Sequence, residues 1–84
     1  MKVLIIEDEK PSARRLSRML AEINITVSDM LHSVAEAKEW FQNNEHPDLI
    51  FLDIQLSDGL SFEIFEEVTI KSAVIFTTAF DEYA

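Results

Sequence analysis

An α/β layer built on a parallel sheet is the fold this sequence predicts, and three observations predict it. Three apolar runs of strand length, Val3-Leu4-Ile5-Ile6, Leu49-Ile50-Phe51-Leu52 and Ala73-Val74-Ile75-Phe76, are continuous rather than alternating, as strands covered on both faces are. Segments of helical period lie between them. Each run stops at polar residues: Glu7-Asp8-Glu9, then Asp53, then Thr77-Thr78. Strand–helix–strand alternation requires right-handed crossovers and gives a doubly wound sheet with helices on its faces.

Each element has its own signal. After the first strand, Pro11 suits the first turn of a helix. Leu16, Leu20 and Ile23, helped by Met19, then form an apolar face from which Arg14, Arg15 and Arg18 point away. Residues 26–31 predict a second strand, more polar than the others, as a sheet edge is. Ser33-Val34-Ala35-Glu36 reads as a capping box, with Val34, Ala37, Trp40 and Phe41 as the buried stripe of the helix it opens. Asn43-Asn44 and Pro47-Asp48 mark the loop into the central strand. A third helix is expected over residues 61–68, burying Phe62, Phe65 and Val68 and exposing Glu63, Glu66 and Glu67.

Composition narrows the chemistry. The chain has 84 residues, with 16 acids against 7 Lys and Arg, a formal charge of −9. Its length predicts one small domain over residues 1–84, of modest stability. A phosphate backbone would be repelled by this charge, so nucleic-acid binding by this segment is not expected, whereas a cation site is. Without Cys there is no disulfide, thiol nucleophile or Cys-ligated zinc. No apolar run approaches the ~18 residues of a membrane span, and the expected location is cytoplasmic. His32 and His46 have no partner at metal-ligand spacing and read as surface or loop residues.

Ligands in doubly wound sheets sit beyond the carboxyl ends of the strands, which gathers the polar strand ends in one cleft. Glu7, Asp8 and Asp53 then face one another. Crowded carboxylates repel, and a divalent cation relieves the repulsion; a few carboxylates with oxygen-only ligation suit Mg²⁺. Asp53 ends the most hydrophobic strand, a costly place for a charge with no role. Glu9 and Asp48 read as satisfied turn residues.

Three segments together carry a family resemblance: Val3-Leu4-Ile5-Ile6-Glu7-Asp8-Glu9, Asp48-Leu49-Ile50-Phe51-Leu52-Asp53-Ile54-Gln55, and Ile75-Phe76-Thr77-Thr78-Ala79. In order and spacing the chain resembles the receiver domain of two-component response regulators. The wording of residues 76–84 is similar to regulators with a LytTR-type DNA-binding output domain. The resemblance implies a flavodoxin-like receiver fold with strand order 2-1-3-4. It implies Asp53 as the phosphoacceptor, attacking a phosphohistidine on a sensor histidine kinase. Asp8 falls at the direct metal ligand, Glu7 at the ligand acting through water, and Gln55 where a backbone carbonyl reaches Mg²⁺. Thr78 matches the switch hydroxyl that bonds the new phosphoryl group. The protein is then a signalling acceptor rather than an enzyme.

Some features depart from the family pattern. Ser57 stands where Pro is usual and Ser61 where Gly is frequent, which is expected to loosen the loop beside the site. The family fold continues past Ala84 with a further helix, a fifth strand and a last helix, so the resemblance implies a truncated domain lacking the Lys that pairs with the phosphoryl group. Such a truncation is expected to leave the fourth strand as an apolar edge through which the chain self-associates.

Other classes fit less well. Haloacid-dehalogenase-type phosphatases also use an Asp nucleophile with Mg²⁺, but need an acid two residues later, where Gln55 cannot act as a general acid. The single Gly59 excludes a glycine-rich phosphate loop. A purely structural or interaction module that is never phosphorylated is the other alternative.

Overall fold

The computed structural model describes residues 1–77. Its elements are β1 (Val3–Ile6), α1 (Lys10–Glu22), β2 (Val27–Leu31), α2 (Val34–Asn43), β3 (Leu49–Asp53), β4 (Gln55–Leu56), β5 (Gly59–Leu60), α3 (Phe62–Glu67) and β6 (Ala73–Thr77). Four of the strands make one parallel sheet in the order β2-β1-β3-β6, the predicted arrangement. No described helix is long and apolar enough to cross a membrane.

The continuous apolar runs follow from a sheet buried on both sides. Side chains alternate along a strand. Leu4, Ile6, Ile50 and Leu52 face one way, into a cluster with Leu31, Val34, Ala37, Phe41, Leu56 and Ile64. Ile5 faces the other way, against Ala13 and Leu20 of α1, with Leu16, Val27, Met30 and Phe51 packed around them. Neither face of β1 reaches water, so no position along it tolerates a polar residue.

Local signals account for the helix ends. Ser33 Oγ accepts from the Glu36 N–H at 3.0 Å, as a capping box requires, but the Glu36 carboxylate accepts from the N–H of His32 rather than that of Ser33. At the end of α1, Asn24 takes φ +64° while its N–H and that of Ile25 donate to the carbonyls of Ala21 and Leu20. This is a Schellman closure, with Asn at the left-handed position in place of the commoner Gly.

Two helices differ from expectation in their buried residues. In α1 the core is served by Ala13, Leu16 and Leu20, at i, i+3 and i+7, while Met19 and Ile23 are exposed. Met19 lies about 100° around the helix from Leu20, and Ile23 caps the end beyond the sheet. Arg14, Arg15 and Arg18 are exposed as expected. In α3 the buried residue is Ile64, and Val68 is half-buried, whereas Phe62 and Phe65 are 47% and 36% exposed. Both rings instead meet Phe76 of β6 edge-on, with centroids 5.6 and 6.5 Å away. Burying Ile64 in the core cluster turns the two aromatic residues toward the edge of the sheet.

A short antiparallel hairpin, β4–β5, follows β3. Gln55 pairs with Leu60 and Leu56 with Gly59, around a turn at Ser57-Asp58. Gly59 has φ +148°, and a Cβ there would lie 2.3 Å from Glu63 Oε2, so this position admits only glycine without rearrangement.

Candidate functional site

Parallel register builds the site. Ile6 is level with Leu52 across the β1–β3 pair, so the residues that follow, Glu7 and Asp53, leave adjacent strand ends side by side. Glu7, Asp8 and Asp53 each offer a carboxylate oxygen, and the three oxygens lie within 4.8 Å of one another. All three residues are half-buried. The sheet beneath is apolar and supplies no compensating cation. Among the described residues the one ion pair is Lys38–Glu67 at 3.2 Å, between α2 and α3.

The electrostatic consequence is large. Burial, opposed by the Glu9 N–H and reinforced by Asp8 and Asp53, pushes the Glu7 carboxyl up to about 8. Burial also raises Asp53, although a hydrogen bond from Glu7 and the backbone N–H groups of Gln55 and Ile54 pull it back. Without a cation, Glu7 therefore holds the proton and donates it toward Asp53. A site that retains a proton merely to hold its acids together fits a divalent cation, which neutralises the same charges more completely.

The surrounding scaffold contains residues whose role the sequence did not signal. Ser61 is fully buried, and both its N–H and its hydroxyl donate to the Ile54 carbonyl, at 2.9 and 3.1 Å. The expected loosening at Ser61 is thus reversed: the hydroxyl fastens the segment that follows Asp53. Ser57 is an exposed turn residue. Asp58 accepts from the Val34 and Ala35 N–H groups at 2.8 and 3.0 Å, capping α2 from the hairpin, and these bonds hold its carboxyl below the usual range. An acid 24 residues away in sequence leaves no trace in a local helix-cap pattern.

His32 is also not a plain surface residue. It is half-buried, and its Nδ1 donates to the Glu7 carbonyl at 2.8 Å. His46 packs edge-on against Phe41 with centroids 5.1 Å apart. Asp48 is a satisfied turn residue, accepting from the Lys2 N–H at 2.7 Å, and Glu9 is exposed at the start of α1. Gln55 sits in β4 with its residue exposed. Thr78 lies outside the described residues.

Comparison with known proteins bears on what such a site is for. A family model described as the response regulator receiver domain matches residues 3–84. The chain is 40% identical over 88 residues to the sensory transduction protein LytT of Enterococcus faecalis, covering all of this chain and 36% of that protein. It is 35% identical to the transcriptional regulatory protein LytR of Staphylococcus aureus, again over its whole length and 35% of the relative. The chain thus spans about a third of the length of these curated relatives. Among solved structures it resembles the N-terminal domain of a response regulator/sensory box/GGDEF three-domain protein from Carboxydothermus hydrogenoformans. That match has a TM-score of 0.78 at 29% identity and covers 94% of this chain and 65% of the other.

Proposed function

Because the chain belongs to the response regulator receiver domain family, we propose that it accepts a phosphoryl group on Asp53 from a phosphohistidine of a sensor histidine kinase. The observation that carries this reading is the convergence of three carboxylate oxygens within 4.8 Å at the ends of β1 and β3. Asp53 is the nucleophile because it alone of the three belongs to a sheet strand, where it lies in register with Thr77 of β6. Asp8 and Asp53 hold Mg²⁺ directly, Glu7 acts through water, and Gln55 contributes its backbone carbonyl. Bound Mg²⁺ supplies positive charge against the phosphoryl oxygens during in-line transfer. Thr78 is assigned the switch hydroxyl that bonds the acquired group.

In this reading the chain is a signalling acceptor, not an enzyme, and works in the cytoplasm. Relatives named for sensory transduction and transcriptional regulation support a DNA-binding output domain in the longer protein, controlled by the phosphorylation state of this domain over residues 1–84. The test is labelling with a small-molecule phosphodonor. Incorporation at Asp53 is expected with Mg²⁺ and is expected to vanish with chelator; stable labelling at another residue, or labelling indifferent to Mg²⁺, would contradict the assignment.

We also propose that the 84-residue chain by itself self-associates along β6. Among the described residues β6 pairs with β3 alone, and Ile75 and Phe76 of this strand are 48% and 44% exposed. Unblunted apolar edges invite pairing. Sedimentation at high micromolar concentration is expected to give a dimer that Ile75→Lys, at an exposed position of the strand, dissociates. A clean monomer there would refute it.

A further inference from the structure

The peptide group joining Glu7 to Asp8 is the covalent link between two of the three acids, and it is held from one direction. Its carbonyl accepts from His32 Nδ1 at 2.8 Å, while the Glu7 N–H on the preceding peptide donates to the Leu31 carbonyl at 2.9 Å. Both contacts come from the carboxyl end of β2. Since a carbonyl only accepts, His32 must carry its proton on Nδ1. The imidazole is anchored in turn. The His32 backbone N–H donates to Glu36 Oε1 at 2.6 Å, and Asp58 clasps the first two N–H groups of α2, those of Val34 and Ala35. Asp58 belongs to the hairpin turn that follows Asp53. A continuous set of hydrogen bonds therefore runs from the Glu7–Asp8 peptide, through the β2–α2 turn, to the segment beyond the third acid.

We propose that His32 is a positioning residue for the acidic site, holding the plane of the Glu7–Asp8 peptide so that both side chains start from one backbone orientation. The direction of this carbonyl is set by ψ of Glu7, and through the planar peptide the same angle sets where Asp8 lies relative to Glu7. An uncompensated change in it would disperse the three oxygens. Water can satisfy a carbonyl at a half-exposed turn, but water does not fix its direction. A half-buried imidazole whose own backbone N–H is held by Glu36 does. Groups that orient metal ligands from outside contribute to affinity in this way. The inference rests on the proposed Mg²⁺ site.

Two substitutions in the full protein separate positioning from bulk stability. His32→Asn retains a donor at the same remove from the backbone as Nδ1, whereas His32→Leu fills similar space and donates nothing. Mg²⁺ affinity, read from amide shifts near Asp53, is expected to fall on the order of 10-fold in His32→Leu and to stay within about threefold of the parent in His32→Asn. A role confined to packing would lower the melting temperature and leave the Mg²⁺ affinity of the folded protein unchanged; that result overturns the proposal. Should His32→Leu fail to fold, the ¹⁵N imidazole signals of the unmutated protein decide. The Nδ1–H tautomer, with a resonance that moves on adding Mg²⁺, is expected; the Nε2–H tautomer, or a resonance blind to Mg²⁺, overturns it. Absence of Mg²⁺ binding by the unmutated protein would remove the proposed site and this inference together, whereas normal binding by both variants removes only the inference.

Discussion

Asp53→Asn is expected to weaken Mg²⁺ binding on the order of 100-fold, about 2.8 kcal/mol, while making the metal-free protein more stable at pH 8. The two effects have opposite signs because they act on the same repulsion. In the metal-free parent, Glu7 is raised from its ordinary 4.5 to about 8 and Asp53 is raised as well, so the folded state binds more protons than the unfolded one. Stability must then fall as pH rises between those values, from about 4.5 through about 8. Removing the Asp53 charge relieves the part of the Glu7 shift that Asp53 causes, though not the larger part due to burial. The variant should thus show a shallower loss with pH and, at pH 8, a gain of about 1 kcal/mol once solvent screening of these half-exposed groups is counted. In a domain of this size that is about 4–8 °C in melting temperature. Adding Mg²⁺ should flatten the parent's pH dependence and leave the variant's unchanged. Thermal melts from pH 5 to 8, with and without Mg²⁺, read all of this. A parent whose metal-free stability rises across that range would contradict the proton assignment, and equal Mg²⁺ affinity in the two proteins would remove Asp53 from the site.

Truncating the core beneath the site should cost more stability than any change within it. Ile50→Ala is expected to destabilise the domain by about 2–5 kcal/mol. Ile50 is 1% exposed at the middle of β3, paired with Leu4 on one side and Val74 on the other, and packed in the cluster that joins the sheet to α2 and α3. The cavity cannot collapse, since its walls are the two neighbouring strands and two helices at once. A chain of this length has about 4–13 kcal/mol of total stability, so the loss removes a large fraction of it. Denaturant unfolding followed by the Trp40 fluorescence measures this. A loss below about 1 kcal/mol would mean that the sheet closes around the deletion, contrary to the packing described.

Much of the fold and the heart of the site are legible in the amino-acid order. Where both faces of a strand are dry, every residue must be apolar, and that pattern marks β1 and β3 and predicts their central place in the sheet. A carboxylate that abruptly ends such a run has no reason to be there unless the strand end is used. Since the acceptor end of every parallel strand points the same way, Glu7, Asp8 and Asp53 had to converge. The Ser33–Glu36 cap was equally readable, because its partners are three residues apart.

What escaped the linear reading depends on partners distant in sequence. Phe62 and Phe65 look like core residues on a helical wheel, but the phase of a six-residue helix is set by what it lands on, and Ile64 fits the cluster over β1 and β3. Asp58 carries no signal in the sequence, yet its two acceptor oxygens cap a helix that begins 24 positions earlier. Ser61 reads as a weakened glycine position, yet its hydroxyl fastens the backbone after Asp53. His32 reads as an isolated loop histidine until β2 is laid beside β1 and its ring reaches the Glu7 carbonyl. Periodicity and strand-end chemistry are properties of neighbours along the chain, so the sequence by itself determined the layer, the strand order's central pair and the three acids. Hydrogen bonds that span a crossover exist only once the sheet has brought their partners within about 3 Å, so the bracing of those acids was decided by the tertiary structure alone.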